Sequence, residues 1–318
     1  MSHRRGKVGK VDSGGTSAPR RRKVAVVVAP PEAPPAYERF RELDRYRVER
    51  EWRRYEGTPQ RDLFRELRSR FLDRHRALGP RTLDVGPGPG RFSAGVGSST
   101  ATHVLADLSL EMLRYARGHL GKGERAGRYD YIRADGIRVP FPPHRFSEVV
   151  ALGNTLGFAE ESASRLLESL AECVAASGTL ILEIAPSSGE RSRYLRRLPA
   201  RAVGRLFEAP VSVIQSRIER EGFDPVPSDP GDRHRFRRLK SEEIREWMTD
   251  SGLTVEESLA VAPASGLESD RIQAVQKNPK AWAHLIELEE RLGRIPARQL
   301  SAAAVLVAAR APPAEAMN

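Results

Sequence analysis

From Arg81 onward the sequence alternates short apolar runs with stretches of helical periodicity, and this alternation narrows the fold more than any other feature. The runs are RTLDV, HVLADL, YDYIRAD, SEVVALG and GTLILEIAP. Parallel strands buried on both faces read as near-continuous hydrophobic runs, and each needs a crossover, usually a helix, to reach the next. The rhythm therefore predicts an α/β fold with a mostly parallel sheet and helices on both faces. The helix before GTLILEIAP carries Leu166, Leu167, Leu170 and Val174 on one side and is expected to stop at Gly178, a left-handed C-cap. Residues 187–240 interrupt the rhythm with an arginine-rich, irregular stretch. Ser241 is then expected to cap a helix with Ile244, Trp247 and Met248 inward. LTVEESLAV reads as a strand, Asn278 and Pro279 open a helix that buries Trp282, Leu285, Leu288 and Leu292, and AAAVLVAAR closes the sheet.

With 318 residues and 39% hydrophobic content the chain is long enough to bury a substantial core. Residues 1–36 cannot contribute to it. They combine RRRK with APPEAPPA and hold eight Lys/Arg against Asp12 and Glu32, a composition expected to stay disordered as a basic tail. Residues 312–318 are expected to be a disordered end. Over 37–79, Phe40, Leu43, Val48, Trp52 and Tyr55 follow helical spacing, and a second helix is marked by Thr58 as N-cap, Pro59 at its first position and Leu63, Leu67 and Phe71 on one face. No apolar run is long enough to span a membrane and no secretory leader is present, so a cytoplasmic location is expected. The single cysteine, Cys173, excludes internal disulfides and Cys-cluster metal sites, and no metal is expected. The net charge of +11 points to anionic partners, although much of it sits in the tail.

The loop GPGPG, Gly86 to Gly90, lies between a strand and a helix, where backbone N–H groups and a helix N-terminus can meet a ligand. A dinucleotide site wants G-x-G-x-x-G, but the third glycine here comes one place early and position 91 is arginine. A P-loop would need G-x-x-x-x-G-K-[ST], which is absent. Pro87 and Pro89 remove two donors and stiffen the turn, which suits a small fixed ligand rather than a pyrophosphate.

LDVGPGPGRF, LADLSLEML, RADGIRVPF and VVALGNTLGF, in that order over residues 80–186, make the chain resemble the class I S-adenosylmethionine-dependent methyltransferases. The resemblance implies a Rossmann-like seven-stranded sheet with the last strand antiparallel, and S-adenosylmethionine over the C-terminal ends of its first strands. It also implies that 37–79 covers the cofactor site, that 80–186 and 241–311 form the core, and that 187–240 is an acceptor-binding insertion. On the same resemblance Asp84 helps position the methionine end of the cofactor, with a turn-capping acid as the alternative. Gly86, Gly88 and Gly90 let its amino-acid part approach. Asp107 accepts the ribose hydroxyls, freed for this because Ser109 is the better helix cap, and Leu108 packs on the adenine. Asp135, before Gly136, accepts from the adenine amino group or merely shapes a turn. Asn154 faces the transferred methyl or closes its strand with its amide.

Methyl transfer is an in-line displacement in which the protein mainly aligns and dries the reactants. Asn154-Thr155-Leu156-Gly157 departs from the Asn/Asp-Pro-Pro-aromatic pattern of nucleobase amino methylation, and Cys173, inside a helix, is misplaced for carbon-5 cytosine chemistry. The insertion gathers Arg191, Arg193, Tyr194, Arg197, Arg217, His234, Arg235 and Arg237, a set suited to an anionic acceptor or simply to a solvated face. His234 is a candidate base if it faces the pocket. The expected partner is thus a small anionic metabolite. The alternative is an RNA- or protein-associated methyltransferase, or a nucleic-acid-binding protein, that uses the basic tail.

Overall fold

The structure, a computed structural model, describes residues 25–26, 43, 45–54, 56–77, 79–96, 102–122, 128–185, 189–226, 237–262, 267–299, 302 and 304–316. The main sheet contains β1 (Ala25–Val26), β2 (Arg81–Val85), β3 (Thr102–Asp107), β4 (Tyr129–Arg133), β5 (Phe146–Ala151), β6 (Val174–Ile184), β9 (Thr254–Val261) and β10 (Ala304–Arg310), in the order β1-β4-β3-β2-β5-β6-β10-β9. β2 pairs in parallel with both β3 and β5, which places it mid-sheet, and β10 runs antiparallel to β6 and β9. The seven expected strands are all present with the last one antiparallel. Ala25–Val26 adds a two-residue parallel edge strand beside Ile132 and Arg133, within the stretch expected to be disordered. The rest of the 1–36 tail, and its suggested nucleic-acid role, lie outside the described residues, as do Phe40, Tyr55, His234 and Arg235.

The described helices are α1 (Arg45–Arg53), α2 (Pro59–His75), α3 (Leu110–Leu120), α4 (Thr155–Phe158), α5 (Ala163–Cys173), α6 (Arg193–Arg197), α7 (Ala200–Leu206), α8 (Val211–Glu221), α9 (Ser241–Asp250), α10 (Ser269–Gln276), α11 (Pro279–Gly293) and α12 (Pro296–Gln299). Leu63, Leu67 and Phe71 of α2 join Leu285, Leu288 and Leu292 of α11 against one face of the sheet. Leu166, Leu167 and Leu170 of α5 pack with Ile244 and Met248 of α9 on the other. The caps of α2 and α11 are as expected: Thr58 accepts from Arg61 N, and Asn278 accepts from the N–H groups of Lys280 and Ala281.

Three local expectations are corrected. The helix before β6 ends at Cys173, and the left-handed residue is Ser177 (φ 56°); a side chain at Gly178 would collide with the carbonyls of Ala175 and Ser147, so close packing explains that glycine. Ser241 is the first residue of α9 and makes no capping bond; Lys240 holds the cap position. The insertion is more regular than expected over residues 189–226, while residues 187–188 and 227–236 lie outside the described residues. It folds into α6, α7 and α8 beside a small sheet of β7 (Gly189–Ser192) and β8 (Phe223–Val226), and it buries Leu195, Val203, Phe207, Ile214 and Ile218 against the layer of α2, α10 and α11.

Candidate active site

The C-terminal ends of β2, β3 and β5 open onto a cleft of about 1380 Å³. Its floor is the glycine loop. Gly86, Gly88 and Gly90 all have positive φ (67°, 56° and 82°), a conformation costly for other residues. Their surroundings differ. A Cβ at Gly86 would lie 2.5 Å from Thr155 Cγ2, and one at Gly90 would lie 2.7 Å from Leu120 Cδ1, so these two glycines allow packing within the protein. At Gly88 the nearest atom is Met112 Sδ at 3.9 Å, and its open side belongs to the cleft. Gly136 is tight against Leu166 and Val85.

Three carboxylates border this floor: Asp84, Asp107 and Asp135. Asp84, the next-to-last residue of β2, accepts a 2.6 Å bond from Ser93 Oγ. Burial pushes its pKa up to about 7 against the pull of that hydroxyl, with Asp107 and Glu148 adding to the rise. Asp107 is not as free as expected. Its Oδ2 accepts from Gly88 N (2.9 Å) and its Oδ1 from Ser109 N (2.8 Å), while Ser109 Oγ caps α3 at Met112 N. Burial raises its pKa to about 6, opposed by those two N–H donors. An ionised carboxylate has about four lone-pair sites, so two remain for a ligand. Asp135 Oδ1 accepts from Ile137 N at 3.0 Å, a turn-capping bond, while the residue still borders the cleft, as Leu108 and Gly136 do.

Asn154 does not line the cleft; Gly153, Thr155 and Phe158 do. Its backbone is left-handed (φ 66°) and its Oδ1 accepts from Ala185 N at 2.9 Å, so its amide ties the turn to the end of β6. That contact matches the strand-closing alternative. Beside this turn lies a buried pair that the sequence did not single out: Arg68 of α2 donates twice to Glu183 of β6, at 2.8 and 2.7 Å. Glu183 Oε2 also accepts from Gly153 N at 3.3 Å. Burial opposes the charge on Glu183, but Arg68 holds its pKa below the ordinary value.

The mouth is set by α1, whose Tyr46, Arg47, Arg50 and Arg53 line the cleft, with Arg54 just beyond the helix and Arg91 and Phe92 of the glycine loop. The Phe92 ring lies under the guanidiniums of Arg68 (4.1 Å) and Arg91 (4.5 Å). No described residue of the insertion reaches the cleft. Arg217 donates to Tyr194 Oη, Arg197 pairs with Glu221, and Arg237 pairs with Glu243 and lies over Trp247. Among the described residues, the arginines of the cleft come from the N-terminal helix, the residue after it and the glycine loop. They are Arg47, Arg50 and Arg53 of α1, Arg54 and Arg91, against Glu49 and Glu51. Cys173 is away from the cleft, its thiol pushed up to about 12 by burial.

Residues 82–178 match the family model described as a methyltransferase domain. Over 80 residues the chain is 38% identical to the ubiquinone/menaquinone biosynthesis C-methyltransferase UbiE of Ectopseudomonas oleovorans, covering 24% of this chain and 46% of that one. The match thus spans less than half of that relative. Similar solved structures include geranyl diphosphate C-methyltransferase from Streptomyces coelicolor A3(2), at 14% identity over 77% of each chain with a TM-score of 0.44. Magnesium protoporphyrin IX methyltransferase from Synechocystis PCC 6803 is 14% identical over 87% of this chain and 93% of that one, with a TM-score of 0.45.

Proposed function

Through residues 82–178 the chain belongs to the class I S-adenosylmethionine-dependent methyltransferases, whose cofactor is S-adenosylmethionine, and on that premise we propose that it methylates a small anionic acceptor. The carrying observation is the polarity of one cleft: carboxylates and an open glycine on its floor, arginines at its mouth. The floor fits the cofactor. Gly88 leaves space where any side chain would intrude, and Asp107 keeps two acceptor sites beside its two backbone bonds. Asp107 would hold the ribose hydroxyls, Asp135 and Leu108 the adenine, and Asp84 with the glycine loop the methionine end.

When bound, the cofactor supplies a methyl group on a sulfonium, already electrophilic. The chain's own residues orient the acceptor and exclude water. Leu152, Phe158 and Leu166 give the cleft apolar walls, and the arginines at the mouth match a carboxylate or phosphate.

Calorimetry with S-adenosylmethionine, S-adenosylhomocysteine and NAD tests the cofactor. Binding of the first two and not of NAD is expected, and the reverse would overturn the reading. Labelled cofactor offered with carboxylate- and phosphate-bearing metabolites, neutral analogues and RNA tests the acceptor. Transfer only to neutral compounds or to RNA would remove the anionic assignment.

A further inference from the structure

Arg91 follows the last glycine of the loop and is the loop's connection to α1. Its Nη1 donates to the carbonyls of Glu51 and Arg54, each at 3.2 Å. Glu51 lies in the last turn of α1 and Arg54 just beyond it, at the C-terminal pole where a helix favours a cation; the Glu51 carbonyl also accepts from Arg54 N at 3.4 Å. Burial, reinforced by the nearby Arg68, draws the Arg91 pKa below its ordinary value, and no described carboxylate lies within ion-pair distance of it. The carbonyls of Glu51 and Arg54 and the Phe92 ring are its direct contacts, and the carboxylates of Glu51 and Glu183 favour its charge from farther away.

The other attachment of α1 also leads to a cofactor-facing element. Trp52 packs on His119 (centroids 4.5 Å apart) and Tyr115 (5.8 Å) of α3, the helix that begins just after Asp107. Only Val48 of α1 is buried, and an isolated helix of nine residues is marginal in water. The helix that brings Tyr46 and the arginines to the mouth is thus held in place by elements of the cofactor floor.

We propose that Arg91 is a positioning residue: it latches α1 onto the glycine loop, so that filling the cofactor floor closes the acceptor side of the cleft. A rigid loop presents the guanidinium in one place, and α1 docks there. Through linkage, whatever orders the loop strengthens that docking, and acceptor binding should follow cofactor binding. The ligand-dependent half of this proposal rests on the cofactor reading above; the latch itself does not.

Hydrogen exchange on the full-length protein tests both halves, with amides of α1 as the readout and those of α2 as the measure of global folding. Arg91→Met keeps an apolar stem near Phe92 but removes the donors. Without ligand, α1 of the variant should exchange about tenfold faster than in wild type while α2 is unchanged. Equal α1 exchange would overturn the latch. With saturating S-adenosylhomocysteine, wild-type α1 should slow by about tenfold and that of Arg91→Met by less than about threefold. Equal slowing in both would overturn the coupling, a result that loss of packing alone would not produce. If the wild type fails to bind S-adenosylhomocysteine, the cofactor reading falls, and the ligand-free comparison still decides the latch. If α2 shows that Arg91→Met does not fold, Arg91→Gln, which keeps a polar amide but not the guanidinium reach to both carbonyls, is read by the same criteria.

Discussion

Asp84 and Asp107 border the cleft, and their burial makes a charged carboxylate there costly to the protein. Burial raises Asp84 from 3.8 to about 7 and Asp107 from 3.8 to about 6, so the folded state holds protons that the unfolded chain has released. Their stabilising contribution is complete below about pH 4 and is lost as pH rises through 6 and 7. Glu183, Glu256 and Glu257 shift the other way, and their contributions are already in place above about pH 4.5. Apoprotein stability should therefore decline between pH 5 and 8, by up to a few kcal/mol at about 1.4 kcal/mol per pKa unit. Asp84→Asn should flatten that decline, as denaturant titrations at the two pH values would read; an unchanged decline would discharge Asp84 as its source. At Asp107 the ligand decides the sign. Asp107→Ala removes the acceptor of Gly88 N and, on the proposed role, that of the ribose, and it should weaken S-adenosylmethionine binding by about 1.5–3 kcal/mol in calorimetry.

At the scale of elements, the glycine loop separates two uses of one residue type. Gly90→Ala would force a methyl group to within 2.7 Å of Leu120 at a φ of 82°, and should cost about 2–4 kcal/mol of stability by combining overpacking with left-handed strain. Gly88→Ala meets open space, so only the strain, about 1–2 kcal/mol, should appear in stability. Its larger effect should be on cofactor affinity, because the added methyl borders the cleft. Equal melting temperatures for the two variants would show that the loop yields at Gly90. The Arg68–Glu183 pair joins α2, β6 and the turn at Gly153 in the same way. Glu183→Gln leaves a buried guanidinium without its counter-charge and should cost about 3–5 kcal/mol, measured by chemical denaturation. A loss below about 1 kcal/mol would mean that water reaches Arg68 in the variant.

At the scale of the whole molecule, the sheet was legible because each central strand is buried on both faces and so is nearly continuous in apolar residues, from Leu83 in β2 to Leu306 in β10. The glycine loop and the acids at 84, 107 and 135 were legible because one short segment carries each. The helices of the insertion were not. They run for five, seven and eleven residues, and Pro199 and Pro210 sit at the N-caps of the second and third, too short a span for periodicity to stand out among so many arginines. Arg91 was equally hidden, since its acceptors lie about 40 residues upstream and no local pattern announces them. The same holds for the ionic cluster that fastens α2 to the C-terminal strands. Glu257 of β9 meets His75 at 2.7 Å, Arg294 at 2.9 Å and Arg74 at 3.3 Å, while Arg74 also reaches Glu290 at 2.6 Å. Burial disfavours the charge on Glu257, but His75, Arg74 and Arg294 prevail and hold its pKa at about 2. Its contribution is therefore present above the unfolded value near 4.5 and is lost as pH falls toward 2. Because the arginines are partly solvated, each pair should be worth only about 0.2–1 kcal/mol, and the hub about 1–2 kcal/mol. Glu257→Gln should lower the melting temperature at pH 7 by roughly 2–5 °C. The gap to wild type should narrow in 1 M salt, where the screening length is about 3 Å, and close toward pH 2. A gap independent of both salt and pH would assign the loss to altered packing of α2 on β9 rather than to charge.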